Sequence, residues 1–138
     1  MKTMTYLSSL ILVGSLTFSV GGLSAAQSPQ QLVKVSGVKG GLVVHLGSGD
    51  GSRTAALRLN DSYMVQGWDR DAARIAQARL NLRAKSVYGP VSVDRLDGKV
   101  LPYIDNFANL VVADDLLGVS MEEIKRVLEV MRRDECAE

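Results

Sequence analysis

The sequence lacks the residues that would build a disulfide framework or a cysteine-ligated metal site. Cys136 is the single cysteine among 138 residues, so we expect a free thiol or an intermolecular bridge, and no metal site is predicted. A charge excess is also missing, because sixteen Lys and Arg stand against fifteen Asp and Glu; charge therefore points to neither nucleic acid nor an acidic membrane surface. With three prolines and 46% hydrophobic residues, the composition is that of one small globular domain stabilised by its core.

Residues 1–26 have the layout of a signal peptide. Lys2 is their only charged residue, a long apolar run follows it, and Ser24 and Ala26 fit the minus-three and minus-one positions of a cleavage site. Serines and glycines within the run weaken it as a permanent membrane span, and an uncleaved anchor is the alternative. We expect cleavage before Gln27, a mature chain without a membrane segment, and a secreted or periplasmic location.

The rest of the chain alternates short apolar segments with amphipathic ones. The apolar segments predict four buried strands, numbered β1 (41–46), β2 (63–68), β3 (91–93) and β4 (109–113). The amphipathic segments predict four helices, numbered α1 (28–36), α2 (52–59), α3 (from 71 to before 89) and α4 (from 120 onward, opened by a capping box). This alternation predicts an α/β protein with a parallel sheet covered by helices on both faces. Residues 27–40 form the predicted N-terminal helix and linker, and residues 41–138 the domain.

A glycine-rich turn, Gly47-Ser48-Gly49-Asp50-Gly51, separates β1 from α2. Glycines at this point allow a sharp turn and let a ligand approach backbone amides at a helix N-terminus. The dinucleotide-binding fingerprint would put its third small residue at Ser52, and the different spacing here disfavours a nicotinamide cofactor. The Walker phosphate loop needs a Lys-Ser or Lys-Thr after its glycines, and its absence here disfavours a nucleoside triphosphate. The alternative is a tight turn without a ligand.

Two acidic residues follow β2 and β3. Asp69 ends β2, where a carboxylate can accept hydrogen bonds from both hydroxyls of a ribose. The alternative is an N-cap for the next helix, a role equally open to Asp71. Asp97, followed by Gly98, comes just after β3, where it could accept a hydrogen bond from an adenine amino group; a solvated turn aspartate is the alternative.

This order of motifs resembles class I S-adenosylmethionine-dependent methyltransferases. The resemblance covers residues 42–128 and rests on the glycine turn and on further stretches: Trp68-Asp69, Leu96-Asp97-Gly98, Leu101-Pro102-Tyr103 and Asn109-Leu110-Val111-Val112-Ala113-Asp114. It implies a Rossmann-like sheet with strand order 3-2-1-4 and S-adenosylmethionine as the cofactor. It also implies the contacts of five residues: Gly47, Gly49 and Gly51 with the methionine and ribose portion, Asp69 with the ribose, and Asp97 with adenine.

The segments Val43-Val44-His45-Leu46-Gly47 and Arg126-Val127-Leu128 further resemble methyltransferase-like domains of secreted bacterial proteins that carry a pyrroloquinoline-quinone-type β-propeller. In the family the Arg-Val-Leu segment is followed by a Pro-Gly-Gly turn, a fifth strand and a β-hairpin. Residues 129–138 of this sequence do not contain the Pro-Gly-Gly turn. The resemblance therefore implies a truncated domain that lacks three strands. It leaves β4 as an apolar edge through which two chains could associate.

The catalytic residues stay open at this stage. His45 stands where many relatives have an acid near the cofactor's ammonium, and a lone histidine on an apolar strand is interpreted as a satisfied core residue. Asp114 or Asp115, after β4, could act as a base, although exposed loop carboxylates are the commoner case.

These observations predict a secreted, truncated S-adenosylmethionine-dependent methyltransferase-like protein whose methyl acceptor, a small molecule or a protein, is unknown. The alternative is a non-catalytic nucleoside-binding or interaction module, or a degenerate fragment of a larger propeller fusion. Whether the chain is an enzyme is left open, because strands are missing and S-adenosylmethionine is made inside cells.

Overall fold

A computed structural model describes residues 5–6, 10–13 and 27–128 of the chain. Within them, four neighbouring parallel strands belong to one sheet: β1 Gly41–Leu46, β2 Tyr63–Asp69, β3 Val91–Arg95 and β4 Leu110–Ala113. Their order across the sheet is β3-β2-β1-β4. The predicted Rossmann-like α/β class and the order 3-2-1-4 are therefore confirmed.

The helices lie between the strands as predicted: α1 Pro29–Ser36, α2 Ser52–Ala56, α3 Ala72–Ala84 and α4 Met121–Val127. Ser28 and Gln31 form the capping box of α1. Ser120 caps α4 by accepting from Glu123 N, but the Glu123 carboxylate accepts from Leu101 N instead of returning to Ser120. Helix α2 is shorter than predicted, since the chain turns after Ala56.

Helices cover both faces of the sheet, and two separate cores result. On one face α1 and α3 pack against the strands, with these buried residues among others: Leu32, Val33, Val43, Val65, Ile75, Leu82 and Val91. On the other face α4 and the loop before β4 pack against a second set: Val44, Leu46, Trp68, Leu101, Val111, Ile124 and Val127. Adjacent residues of one strand alternate between the two cores, as the period of two in a strand requires.

The register brings the carboxyl ends of three strands together. Leu46 of β1 pairs with Trp68 of β2 on one side and with Ala113 of β4 on the other. The residues that follow these three therefore meet at one edge of the sheet, where ligands of open parallel sheets usually bind.

Two short strands from the N-terminal stretch extend the sheet. Leu10–Val13 pairs antiparallel with β4, on the side away from β1, and Thr5–Tyr6 pairs with Leu10–Val13. The outer edge of β4 is therefore paired when residues 10–13 are present. An apolar edge strand readily accepts such a segment. A free edge is expected only in a chain from which these residues have been removed.

Several predictions fall largely or wholly outside the described residues. They are the signal peptide over residues 1–26, which is described only at 5–6 and 10–13, and everything that concerns residues 129–138, including Cys136. Among the described residues, no helix is long and apolar enough to cross a membrane.

Candidate functional site

The glycine turn is fixed to the end of β2. The backbone amides of Gly47 and Ser48 both donate to the carbonyl of Trp68, at 2.8 and 3.1 Å. Gly47, Gly49 and Gly51 have φ angles of 82°, 56° and 82°, which lie in the left-handed region that favours glycine. Gly51 is also the N-cap of α2. The turn therefore adopts a conformation that the three glycines make possible.

The three glycines differ in what surrounds them. A Cβ at Gly47 would lie 2.8 Å from Asp115 N, and one at Gly51 would lie 3.1 Å from the Cβ of Ala78 on α3. A Cβ at Gly49 would meet nothing within 4 Å. Packing of the protein itself thus requires Gly47 and Gly51, whereas Gly49 faces open space where a ligand could approach.

Asp69 lies directly beside this open glycine. Its Oδ2 accepts a hydrogen bond from Gly49 N at 3.2 Å, and its Oδ1 accepts from the backbone amides of Arg70 and Asp71 at 2.7 and 3.1 Å. Arg74 Nη2 lies 3.4 Å from the same Oδ1, and Asp69 is only 2% exposed. The carboxylate therefore joins the end of β2 to the glycine turn.

The N-cap alternative for Asp69 is wrong, because Asp71 caps α3. The Asp71 carboxylate accepts from Ala73 N at 2.8 Å and from Arg74 N at 3.2 Å. Asp69 therefore lies at the end of β2 and does not cap α3.

Asp97 is in the loop after β3, but its side chain points to solvent. The side chain is 77% exposed, and its Oδ1 lies 2.8 Å from Arg95 Nε. In this structure the Asp97 carboxylate is a solvated turn aspartate, the alternative to an adenine-binding residue. Its backbone carbonyl, in contrast, accepts a hydrogen bond from Arg70 Nη1 at 3.2 Å and so belongs to the site.

Arg70 is the residue of this site that the sequence analysis missed. Its Nε donates to Leu117 O at 3.1 Å and its Nη1 to Leu96 O at 3.1 Å, while Nη2 donates to Gly98 O at 2.8 Å and also to Leu117 O. One guanidinium therefore links the loop after β3 to the loop after β4. The only signal in the sequence is its position directly after Asp69.

His45 is buried and both of its ring nitrogens have partners, as expected of a satisfied core histidine. Nδ1 lies 2.8 Å from Thr54 Oγ1, and Nε2 lies 2.8 Å from Asp114 Oδ2. A carboxylate can only accept, so Nε2 carries a proton, and in the neutral ring Nδ1 accepts from the Thr54 hydroxyl. This contact joins β1 to the first residue after β4.

The Asp114 carboxylate has two close partners. Its side chain is 23% exposed, and Arg53 Nε lies 3.1 Å from the same Oδ2 that His45 contacts. Asp115 instead turns its Oδ1 back to Leu117 N at 2.9 Å. The two neighbouring acids thus have structural partners, and neither is assigned as a base.

The electrostatics of the glycine turn include one stabilised carboxylate. The Ser52 backbone N–H, 3.0 Å from Asp50 Oδ1, lowers the pKa of Asp50 below its ordinary value.

Tyr103 packs against the core next to Trp68. Trp68 Nε1 donates to the Tyr103 hydroxyl at 2.9 Å, and burial raises the pKa of Tyr103 to about 12. Tyr103 is therefore a neutral packing residue at physiological pH.

A cavity of about 590 Å³ lies at the opposite, amino-terminal ends of the strands. Gly41, Tyr63 and Pro90 line it, and Arg58 in its wall is paired with Asp61 at 3.1 Å. It contains none of the predicted site residues. In the part of the chain that the structure describes, no group of three or more His, Cys, Asp or Glu could hold a metal ion.

Comparisons with solved structures agree on the fold. A candidate S-adenosyl-L-methionine-dependent methyltransferase from Methanococcus maripaludis matches with a TM-score of 0.64 and 20% identity over 73% of this chain and 49% of its own. The fold is that of class I S-adenosylmethionine-dependent methyltransferases. The methyltransferase fold also matches YcgJ from Bacillus subtilis, with a TM-score of 0.50 and 20% identity over 57% of this chain and 33% of that protein.

The same methyltransferase fold occurs in the [4+2]-cyclase SpnF, which matches with a TM-score of 0.54 and 24% identity over 65% of this chain and 35% of the cyclase. The chain thus spans half or less of the length of these structures. No family model and no curated protein matches the sequence.

Proposed function

We propose that this chain is an S-adenosylmethionine-dependent methyltransferase-like protein that binds S-adenosylmethionine or S-adenosylhomocysteine at the carboxyl ends of β1 and β2. One observation carries the proposal: the Asp69 carboxylate lies 3.2 Å from Gly49 N, at the one point of the glycine turn where a Cβ would meet nothing. A ribose hydroxyl could replace this amide as the donor to Asp69. The methyltransferase fold supports the same location.

Each predicted residue has a role in this proposal. Asp69 would accept from the ribose hydroxyls, and Gly49 would let the ligand approach the backbone, while Gly47 and Gly51 hold the turn in shape. Asp97 would accept from the adenine amino group after its exposed carboxylate leaves Arg95. Methyl transfer needs an in-line approach of the acceptor to the sulfonium methyl, and orientation alone contributes much of the rate. No protein nucleophile is assigned.

The proposal includes export. Residues 1–26 would act as a signal peptide, and the mature chain would be secreted or periplasmic and free of the membrane. The chain would supply the cofactor half of the fold. The methyl acceptor would be a small molecule or a protein, and nucleic acid is not expected because the charges balance.

The second candidate is a non-catalytic nucleoside-binding or interaction module, including a piece of a propeller-containing protein. The observation in its favour is that a [4+2]-cyclase has the same fold, so the fold by itself does not imply methyl transfer. Binding of S-adenosylmethionine without release of S-adenosylhomocysteine, across a panel of small-molecule and protein acceptors, would favour the module.

Calorimetry with S-adenosylhomocysteine tests the binding site through two matched variants of the full chain. Asp69→Asn should weaken binding by about 10- to 150-fold, because hydrogen bonds to a charged group contribute roughly 1.5 to 3 kcal/mol. Asp71→Asn, two residues away, should bind as the wild type does, since asparagine also caps helices. Absence of heat with folded wild-type protein at millimolar ligand would refute the proposal, and an equal loss in both variants would assign Asp69 a purely structural role.

A further inference from the structure

The guanidinium of Arg70 occupies a slot lined by backbone carbonyls. Every hydrogen bond that the described residues give it ends on a carbonyl oxygen, of Leu96, Asp97 and Gly98 on one side and of Leu117 on the other. A slot of this kind accepts donors. An exocyclic amino group of a base has the same chemistry as the N–H groups that Arg70 places there.

The loop after β4 has an unusual backbone where Arg70 holds it. Leu117 has a φ of 54°, a left-handed conformation that leucine rarely adopts, and its carbonyl receives both Nε and Nη2 of Arg70. Gly118 follows with a φ of 75°, and a Cβ there would lie 3.7 Å from Nη2. Such conformations are unfavourable and persist where surrounding contacts hold them. The two hydrogen bonds from Arg70 to the Leu117 carbonyl are contacts that hold this backbone in place.

The slot lies on the base side of the proposed site. Arg70 follows Asp69 directly, and a ribose bound to the Asp69 carboxylate would direct its base across the strand ends, toward the loops that Arg70 connects. Arg70 itself is partly buried between these loops. The amino group of a base has two N–H donors, so it could donate to one of these carbonyls as well as to the Asp97 carboxylate; the base and the guanidinium would then compete for the slot.

We propose that Arg70 is the specificity-determining residue of the base side: it closes the carbonyl-lined slot, and a purine nucleoside binds only when its guanidinium leaves. This inference rests on the proposed function. It assigns the wild-type chain a weak affinity for adenosine-containing ligands, because only the fraction of molecules with an open slot is competent to bind. A ligand without a base would not meet this barrier.

Three ligands separate the base from the rest of the molecule: S-adenosylhomocysteine, adenosine and S-ribosylhomocysteine, which has the ribose and homocysteine but no adenine. By calorimetry on the full chain, Arg70→Ala should bind the two adenosine-containing ligands at least about tenfold more tightly than wild type, as release of a closed state predicts. Its affinity for S-ribosylhomocysteine should stay within about twofold. Arg70→Lys, which keeps the charge but not the fork of donors, gives the same test if the alanine variant is unstable.

Arg79→Ala is the matched control, since Arg79 also donates to a carbonyl, of Val93 at 3.1 Å, and to a carboxylate, of Asp94, but at the outer strand. It should leave all three affinities unchanged. Equal binding by wild type and Arg70→Ala would overturn the inference and keep the proposed function. Weaker binding of adenosine by Arg70→Ala would make Arg70 a base-binding residue, and tighter binding of all three ligands would show general loosening; either result overturns it. Binding of none of the ligands by any variant would refute the proposed function itself.

Discussion

His45 and Asp114 join two neighbouring strands at their carboxyl ends, with Nε2 of the imidazole 2.8 Å from Oδ2 of the carboxylate. Sixty-nine positions separate the two residues in the chain. The Thr54 hydroxyl on the other ring nitrogen, 2.8 Å from Nδ1, extends the connection to α2. One buried imidazole therefore connects the start of α2 to the loop after β4.

His45→Leu should destabilise the fold by about 1–3 kcal/mol, because it leaves the Thr54 hydroxyl and the Asp114 carboxylate without their shared partner. Urea denaturation followed by circular dichroism measures the change. Asp114→Asn should cost less, since the amide oxygen can still accept from Nε2. Wild-type stability of His45→Leu would contradict a structural role for the imidazole.

Gly47→Ala and Gly49→Ala should differ although both glycines have positive φ. At Gly49 the cost should be about 1 kcal/mol, the strain of a left-handed alanine alone. At Gly47 the new Cβ would also lie 2.8 Å from Asp115 N, so the loss of stability should be larger. Thermal unfolding measures both, and ligand titration should show the reverse pattern, with Gly49→Ala impairing binding while the fold is retained. Equal loss of stability would contradict the assignment of Gly49 to the open side of the turn.

Glu123→Gln should reduce stability at neutral pH and have less effect in acid. Arg126, whose Nη2 lies 2.6 Å from Glu123 Oε1, lowers the pKa of Glu123 below its ordinary 4.5. A carboxyl with a lowered pKa in the folded state stabilises the fold above its ordinary pKa, and this contribution is lost as pH falls through the lowered value. Melting temperatures from pH 7 to pH 3 should therefore converge for variant and wild type. Glu122→Gln, at the exposed neighbour, should follow the wild type at every pH.

The exported protein should begin at Gln27. The single charge at Lys2, the apolar run and the small residues Ser24 and Ala26 agree on this boundary. N-terminal sequencing of protein recovered from the periplasm or the medium measures it. Recovery of material that starts at Met1 would reject cleavage and favour an uncleaved anchor.

A chain that begins at Gln27 should self-associate more strongly than one that begins at Met1. Removal of Leu10–Val13 exposes the outer backbone groups of β4, and an unpaired apolar strand favours pairing with a second copy. Light scattering over a concentration series compares the two forms. If both remain monomeric at the same high concentration, the edge of β4 is protected in another way.

The sequence predicted those parts of the fold that depend on neighbours along the chain. Short apolar runs predicted the four parallel strands, and Ser28 and Ser120 marked the starts of α1 and α4. The placement of Asp69 beside the glycine turn could also be predicted, because carboxyl ends of parallel strands share one edge. Patterns of neighbouring residues are therefore sufficient to predict a strand or a helix start whose position depends on those residues alone.

The missed features all depend on residues distant in the sequence. The carbonyls that hold Arg70 come from two loops, at 96–98 and at Leu117, whose conformations no local pattern encodes. The different surroundings of Gly47 and Gly49 depend on where Asp115 packs. The pairing of Leu10–Val13 with β4 brings together segments about a hundred residues apart. Tertiary packing decides each of these.

The close approach of Gly51 to Ala78 makes α3 a constraint on the evolution of the glycine turn. A Cβ at position 51 would lie 3.1 Å from the Ala78 Cβ, so the two positions share one small volume although they belong to different elements. A larger side chain at 78 has to push the turn toward the strand ends or lift the helix from the sheet. Positions 51 and 78 should therefore vary together among homologous chains, with a bulkier residue on the helix tolerated only where the turn has been rebuilt.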